Sequence, residues 1–231
     1  MNKIRNTYKL MRSKIILLSI ILATASAKAQ YFQFEVGGGL AKHYGPSKVV
    51  GSYKIGVGYE YEFNQKWTFN PQISFYGKGW KKPDETMLVF NEDGTPMMNV
   101  ETGEQYTTVK SVSSTAYYLE IPLLVNYYIR TAPSQYIVLS AGPYAAIGVG
   151  GKQKTKGDSD ATGARRLYYT EKTFDIEGAH RFDAGLQVGA GFQFANGLTL
   201  GAEADFGLLN VKSGGSKNVS ALVSLTYKLG K

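Results

Sequence analysis

The chain has 231 residues, no cysteine and a formal net charge of +8. The lack of cysteine excludes a disulfide scaffold, thiol chemistry and a cysteine metal site. The net charge of the full chain says little about the mature protein, because residues 1–29 have the pattern of a secretory signal peptide. These residues hold six of the 26 basic residues and none of the 18 acidic ones. The remaining 20 basic and 18 acidic residues give no support to nucleic-acid binding.

The leader has three parts in the usual order. Residues 1–14 carry five basic residues and no acid, residues 15–25 are almost wholly apolar, and Ala27-Lys28-Ala29 is a small-x-small cleavage site. The apolar run is too short to span a bilayer, so a retained membrane helix is the weaker interpretation. Met11 is an alternative start that would shorten the basic part. We expect cleavage to release one domain, residues 30–231.

Eight stretches of alternating apolar and polar residues follow, and a period of two is typical of strands. The predicted strands are residues 32–41, 52–63, 67–76, 117–130, 135–150, 181–194, 198–207 and 219–229. The two strands flanking Asn196-Gly197 are long enough to cross a bilayer when tilted. The Asn-Gly pair predicts a two-residue type I′ hairpin. Pro71 lies inside the third strand and predicts a bulge or a gap in its pairing.

The connections between these strands alternate in length. Tight connections are predicted at Asn64-Gln65-Lys66, residues 131–134 and Asn196-Gly197. Residues 77–112 and 151–178 are polar and carry turn signals, so both are predicted as long loops, with a short hairpin extension near Val89. Short periplasmic turns alternate with long extracellular loops in outer-membrane barrels. We therefore expect both mature termini and the tight turns on the periplasmic side.

The two faces of the strands differ in charge. The apolar faces carry no charge along the strand bodies, whereas the other faces mix glycine and serine with Glu35, Glu60, Glu62, Glu120, Arg130, Arg181, Asp183, Glu203, Asp205 and Lys228. A water-facing exterior would be richer in lysine and glutamate and poorer in glycine, which weighs against a lipocalin-like soluble barrel. Eight strands leave room for side chains and little more. We expect an ion-paired plug inside and lipid outside.

Aromatic residues mark both ends of the apolar faces. Near the tight turns these are Phe32, Phe34, Tyr61, Phe63, Trp67, Phe69, Tyr127, Phe192, Phe194 and Tyr227, and at the other end Tyr53, Phe75, Tyr117, Phe182 and Phe206. Two aromatic girdles around an aliphatic belt are typical of membrane barrels, and a soluble sandwich is the weaker alternative. The predicted fold class is all-β: an eight-stranded antiparallel up-and-down transmembrane β-barrel of the outer-membrane type.

Four sequence segments resemble the PorT-like outer-membrane β-barrel family of Bacteroidota. They are Tyr118-Leu119-Glu120-Ile121-Pro122-Leu123-Leu124, Ala141-Gly142-Pro143-Tyr144, residues 183–191 and Gly207-Leu208-Leu209-Asn210. The resemblance covers nearly the whole mature chain, and the Glu-Ile-Pro-Leu wording is its most specific part. It implies a small outer-membrane barrel without a catalytic motif, in a family with one named member that serves type IX secretion.

Several chemical sites can be weighed against plainer interpretations. The two histidines, His43 and His180, lie near the predicted extracellular rim but have no distinctively spaced serine and acid for a lipid-modifying enzyme. Residues 158–163 resemble the start of a calcium loop, yet Tyr169 occupies the position of the bidentate glutamate. The glycines of residues 148–151 precede no helix that could bind a nucleotide. We therefore predict no catalytic, cofactor-binding or metal-binding residue.

The second long loop is basic. Its cations are Lys152, Lys154, Lys156, Arg165 and Arg166. The plainer interpretation is a solubilising loop, and the sharper one is contact with anionic lipopolysaccharide headgroups or with an acidic partner. We expect a non-enzymatic scaffold that contacts outer-membrane lipids, lipopolysaccharide and other envelope proteins. The alternatives are an accessory of type IX secretion, a lipid-modifying enzyme and a small pore.

Overall fold

The computed structural model describes residues 30–158, 168–213 and 215–229, and the predicted signal peptide lies outside this range. The strands are β1 (Gln30–His43), β2 (Val50–Glu62), β3 (Trp67–Lys81), β4 (Glu85–Leu88), β5 (Thr107–Ala132), β6 (Gln135–Lys156), β7 (Tyr168–Lys172), β8 (Phe182–Gln193), β9 (Leu198–Gly207) and β10 (Asn218–Leu229). Within the described part of the chain, no helix has the length and hydropathy needed to cross a membrane.

Eight of these strands close into a ring. In the order β1, β2, β3, β5, β6, β8, β9 and β10, each strand pairs antiparallel with the next, and β10 pairs back onto β1. A closed ring pairs every strand edge, so its backbone hydrogen-bonding groups need no water. The predicted eight-stranded antiparallel barrel is confirmed. The short strands β4 and β7 lie outside the ring, paired with β5 and β6 respectively.

The barrel is apolar outside and polar inside. Leu186, Val188 and Leu200 are 48%, 44% and 47% exposed, although all three lie in the middle of regular strands. Glu60 and Asp183, on the opposite face, are fully buried. Exposed aliphatic side chains and buried carboxylates are the reverse of a soluble core, and they suit a barrel surrounded by hydrocarbon.

The aromatic girdles also lie where the sequence predicts them. At the tight-turn end, rings contact one another in the pairs Phe32–Phe34, Tyr61–Phe63, Trp67–Tyr127 and Phe192–Phe194. At the long-loop end, Phe75 contacts Tyr53 and Tyr117, with ring centroids 6.4 and 5.7 Å apart. Amphipathic rings are favoured at the level of lipid headgroups. The two belts therefore mark the boundaries of the apolar band.

Two local predictions concern backbone geometry. The pairing of β3 with β2 skips from Phe69 to Gln72, so the predicted interruption at Pro71 is confirmed. The predicted type I′ hairpin at Asn196-Gly197 is wrong. Phe194 and Leu198 close a three-residue turn through a 2.8 Å backbone hydrogen bond, and Gly197 has a φ of 83° while Asn196 has no positive φ. A type I turn followed by a left-handed glycine also matches strand twist, so one left-handed residue suffices.

The prediction of two long loops is wrong in part. Strand β3 extends to Lys81, β5 begins at Thr107 and β6 ends at Lys156, so each of these strands continues into a segment predicted as loop. Strands β4 and β7 lie wholly inside the predicted loops. The reason is that a strand beyond the membrane needs no apolar face, so the alternation ends while the hydrogen-bonded ladder continues. The hairpin extension near Val89 is confirmed, since Phe90 bridges Pro96.

Candidate functional site

A buried lysine organises the long-loop half of the lumen. The Nζ atom of Lys78 lies 2.7 Å from Glu120, 3.4 Å from Asp205 and 3.8 Å from Asp183. The same ammonium lies 4.4 Å from the ring centroid of Tyr76 and 4.5 Å from that of Tyr144. The three carboxylates come from β5, β9 and β8, so the Lys78 cluster ties four strands together across the lumen.

Two further clusters occupy the lumen below it. Lys54 pairs with Glu35 at 2.7 Å and with Glu203, joining β2 to β1 and β9. Nearer the tight turns, Glu60 pairs with Lys228. The Glu60 carboxylate also accepts hydrogen bonds from four neutral side chains: Tyr128 at 2.5 Å, Thr68 at 2.5 Å, Gln33 at 2.9 Å and Asn126 at 3.1 Å. We call this set the Glu60 cluster.

The buried charges of these clusters link strands across the lumen. Among the described residues, six buried carboxylates share three buried lysines. Each lysine bridges strands that are not all neighbours in the ring, so the ion pairs act as cross-links inside the barrel. A small polar cavity of about 70 Å³, lined by Gln72, Gln187 and Glu203 among others, lies between the clusters. It has room for a few water molecules. The predicted ion pairing inside the barrel is confirmed.

Aromatic side chains cover the long-loop end of the lumen. The ring of Phe174 meets Tyr118 edge-on at 5.6 Å, and a Cβ added to Gly148 would lie 2.1 Å from that ring. Gly148 therefore makes the space in which Phe174 sits. Trp80 stacks on His43 with ring centroids 4.0 Å apart. These contacts close the lumen beneath the loops.

Above the barrel, β4, β5, β6 and β7 form a four-stranded antiparallel sheet, which we call the projecting sheet. Its two central strands are the upper parts of β5 and β6, so barrel and sheet share continuous backbone. Residues 107–116 of β5 span about 30 Å along the strand. Within the described residues, β4 pairs only with β5 and β7 only with β6, so the projecting sheet has two edges.

The projecting sheet exposes apolar side chains to water. Val109 and Tyr168 are each 59% exposed, and Val100, in the turn beyond β4, is 99% exposed. Leu88 and Met98 are also exposed. Apolar side chains outside the girdles gain nothing from lipid. Leu88 of β4 lies opposite Thr107, two residues from Val109 of β5, and neighbouring exposed apolar side chains are typical of a surface that binds another molecule.

Charged pairs fix the base of the projecting sheet. Asp84 accepts a 2.7 Å hydrogen bond from Lys48 and lies 3.2 Å from the Lys81 ammonium. These hydrogen bonds, with that of Lys48 the largest, lower the pKa of Asp84 from 3.8 to about 2. The carboxylate therefore stays charged across the physiological range and holds the loop after β3 against the loop before β2.

The two histidines lie in different settings. His43 is buried under the loops against Trp80, and His180 is exposed with Nδ1 3.0 Å from the Asn210 carbonyl oxygen. No ion pair joins either imidazole to a carboxylate in the described part of the chain.

The calcium-like sequence begins at Asp158, which pairs with Lys110 at 2.6 Å and accepts a 2.8 Å hydrogen bond from Tyr169. Residues 159–167, including Arg165 and Arg166, lie outside the described range.

The structure also sorts the predicted interior charges. Seven of them are buried as expected: Glu35, Glu60, Glu120, Asp183, Glu203, Asp205 and Lys228. Arg130 is exposed and Glu62 is half-buried at the tight-turn rim, while Arg181 pairs with Asp175 at 3.4 Å at the opposite rim. The sequence pattern places Lys54 on the polar face of the second strand, but the predicted set of interior charges did not include it, and Lys78 was assigned to a loop. The alternation Tyr76, Lys78, Trp80 continues the polar face of β3 and was the available signal.

Comparison with known proteins gives a family and several structures of similar fold. A family model described as "Outer membrane protein beta-barrel domain" matches residues 25–213. A search of curated protein sequences finds no match.

Three solved structures illustrate the similarity of fold. The attachment invasion locus protein Ail of Yersinia pestis is 14% identical with a TM-score of 0.41, over 87% of this chain and 97% of Ail. Neisserial surface protein A is 12% identical with a TM-score of 0.43, over 86% and 95%. The outer-membrane enzyme PagL is 13% identical with a TM-score of 0.39, over 84% and 98%. At these values none of them bears on what this chain binds or catalyses.

Proposed function

Because the chain belongs to the outer membrane protein beta-barrel domain family, we propose that it is a non-enzymatic surface protein that displays the projecting sheet outside the cell. The observation that carries this proposal is the continuity of β5 and β6 from the barrel into the sheet. A loop joined by flexible segments would move freely, whereas this sheet is held by the same hydrogen-bonded ladder as the membrane anchor. The barrel therefore presents a binding surface in a fixed orientation.

The surface itself supports a protein partner. Its exposed apolar side chains, Val109 and Tyr168 among them, lie on a sheet whose edge strands β4 and β7 each pair on one side only within the described residues. An exposed strand edge accepts an added strand, and adjacent apolar side chains supply specificity. We infer that other envelope proteins bind here, with lipids and lipopolysaccharide around the barrel.

The orientation can be tested because the chain has no cysteine. A single Val100→Cys variant should react with a membrane-impermeant maleimide in intact cells, since this position lies in the loop predicted to be extracellular. Gln65→Cys, in a tight turn, is the matched control and should react only after the outer membrane is permeabilised. The reverse pattern would refute the extracellular position of the sheet. N-terminal sequencing of the mature protein tests cleavage after Ala29.

The binding role can be tested by cross-linking in cells. A photo-reactive phenylalanine analogue at Val109 should give a discrete cross-linked product that disappears when residues 153–177 are replaced by a short turn. The same analogue at Gln65 is the control for non-specific products. Heat-dependent gel mobility reports whether each variant still forms the barrel. A folded protein that gives the same products from both positions would contradict the proposal.

The geometry of the histidines supports a non-enzymatic role. His43 is packed against Trp80, and the His180 ring contacts a backbone carbonyl. A lipid-modifying enzyme would predict a change in the lipid A mass spectrum when His43 or His180 is replaced by alanine. We expect the spectrum to stay unchanged.

A second candidate is an accessory role in type IX secretion. It is favoured only by the PorT-like sequence segments, of which Glu120-Ile121-Pro122 is the most specific. The buried pairing of Glu120 with Lys78 gives this residue a structural task in either case. Deletion of the protein should abolish secretion of type IX cargo if the accessory role is correct, and leave it intact if the protein is a general surface scaffold.

A further inference from the structure

A bulge in β6 turns a row of lysines toward the outside of the barrel. In the pairing with β5, Tyr118 lies opposite Gly148 and Tyr117 lies opposite Gly150, so Val149 is an extra residue. An extra residue in one strand shifts which side chains share a face. Below the bulge, even-numbered residues of β6 such as Tyr144 point into the lumen. Above it, the even-numbered residues share the outer face with Tyr117.

The even-numbered residues above the bulge are Lys152, Lys154 and Lys156, which we call the lysine row. They pair with Thr115, Ser113 and Ser111 of β5. All three lysines are exposed, while Thr155 between them points the other way and is buried. Without the bulge, the lysines would point over the mouth of the lumen. The bulge therefore decides which surface carries the charge.

Residue 151, just after the bulge, must be glycine. Gly151 has a φ of 147°, and an added Cβ would lie 2.2 Å from the Thr115 carbonyl oxygen. A side chain here would force the two strands apart. The glycine at residue 151 is thus explained by the bulge and the close approach of β5.

The lysine row begins one rung above the aromatic belt. Gly150 pairs with Tyr117, whose ring contacts Phe75 in the long-loop girdle, and Lys152 is the next outward residue of β6. Successive lysines are about 7 Å apart along the strand. Aromatic girdles lie at headgroup level, so outward-facing side chains just above them meet the phosphate layer of the outer leaflet.

Neighbouring strands carry two further lysines on the same face, each close to a carboxylate. Lys172 of β7 pairs with Lys152, and Lys81 of β3 lies two strands from Lys154 through Ser113. Asp84 offsets Lys81, and Asp175 lies 3.7 Å from Lys172. Within the described range no ion pair joins the lysine row to a carboxylate. Its charge therefore remains available to an anion.

We infer that the lysine row binds the phosphate groups of lipid A in the surrounding outer leaflet. Lys152, just above the girdle, is complementary to a lipid that carries phosphates at that depth, and Lys154 and Lys156 continue the positive charge outward from it. This inference rests on the extracellular position of the long-loop end proposed above. The upper end of the row adjoins the apolar side chains of the projecting sheet, since Lys156 pairs with Tyr168.

The experiment measures lipid A retained by the purified, folded full-length mature protein in detergent, by native mass spectrometry. Bis-phosphorylated lipid A is compared with chemically dephosphorylated lipid A. The wild type should retain the phosphorylated form, and the triple variant Lys152→Gln/Lys154→Gln/Lys156→Gln should bind it about a hundredfold more weakly, the effect expected on losing three lysines near an anionic surface. The triple lysine-to-arginine variant should retain it.

The control variant Lys66→Gln/Lys212→Gln/Lys217→Gln loses the same charge outside the lysine row and should bind like the wild type. Removal of Val149 tests the bulge itself, because it turns the lysines inward without changing the charge and should weaken binding as much as the triple glutamine variant. Equal retention of dephosphorylated lipid A, or unchanged binding by the triple glutamine variant, would overturn the inference. Purified protein has no membrane sidedness, so this result is independent of the maleimide labelling that tests orientation.

Discussion

The Glu60 cluster gives a sharp prediction about stability. In Glu60→Gln the shape is kept but the negative charge is lost, which leaves Lys228, 6% exposed, as a buried cation without its counter-ion. Breaking a buried ion pair by removing one partner costs about 3–5 kcal/mol. The four neutral donors to Glu60 also lose a charged acceptor, and bonds to charged groups are stronger than neutral ones by about 1 kcal/mol. Because these terms overlap, we expect a loss of about 4 kcal/mol.

Lys228→Met should cost less than Glu60→Gln. The Glu60 carboxylate would still accept hydrogen bonds from Thr68, Tyr128 and two amides. In the double variant no lone cation remains, so its loss should be smaller than the sum of the single losses by about 2 kcal/mol.

The assay is equilibrium unfolding in urea of protein inserted in lipid vesicles, followed by the fluorescence of Trp67 and Trp80. Glu101→Gln, in an exposed turn, is the control and should change the free energy of unfolding by less than about 0.5 kcal/mol. A loss below about 1 kcal/mol for Glu60→Gln, or strict additivity in the double variant, would refute the view that luminal ion pairs cross-link the barrel.

Three further predictions concern the outer face, the loops and the lumen. Val188→Arg, which places a charge on the lipid-facing side, should cost about 2–4 kcal/mol in the same unfolding assay, whereas Leu208→Arg near the rim should cost about 0–1 kcal/mol; equal costs would contradict the assigned depths. The Asp84 carboxyl should titrate by NMR near pH 2, so its contacts with Lys48 and Lys81 stabilise the loop above pH 4 and are lost as the pH falls toward 2; a normal pKa would rule out these contacts in solution. Planar bilayers containing the protein should show no single-channel conductance because ion-paired side chains fill the lumen, and stable openings would contradict the plug.

The barrel itself could be predicted from the sequence because lipid and lumen impose opposite demands on neighbouring residues. Val188 and Gln187 alternate for that reason, and the closed ring follows from eight such segments with alternating turn lengths. The ends of β3, β5 and β6 could not be predicted, since water wets both faces there and Lys154 or Ser113 carries no signal of burial. The hairpin at Asn196 failed because two turn types accept the same Asn-Gly pair.

The sequence predicts that charged residues pair inside the barrel, but it does not predict which residues pair with each other. Charged residues on the glycine-rich faces indicate interior pairs, yet no one-dimensional pattern says that Lys78 meets Asp183 and Asp205 from strands more than 100 residues away. The lysine row shows the same difficulty. Its direction depends on one extra residue, Val149, whose effect appears only when β6 is aligned with β5.

The continuity of β5 and β6 also has a mechanical consequence. A partner that pulls on the projecting sheet away from the membrane pulls these strands along their own axes. Such a force acts as shear on thirteen paired positions between β5 and β3 and on twelve between β6 and β8. All of these pairs resist the force together. Peeling a strand sideways would break those rungs one after another. If a partner holds the cell through this protein, the force acts along the strand axes, which is the direction in which the barrel resists most strongly.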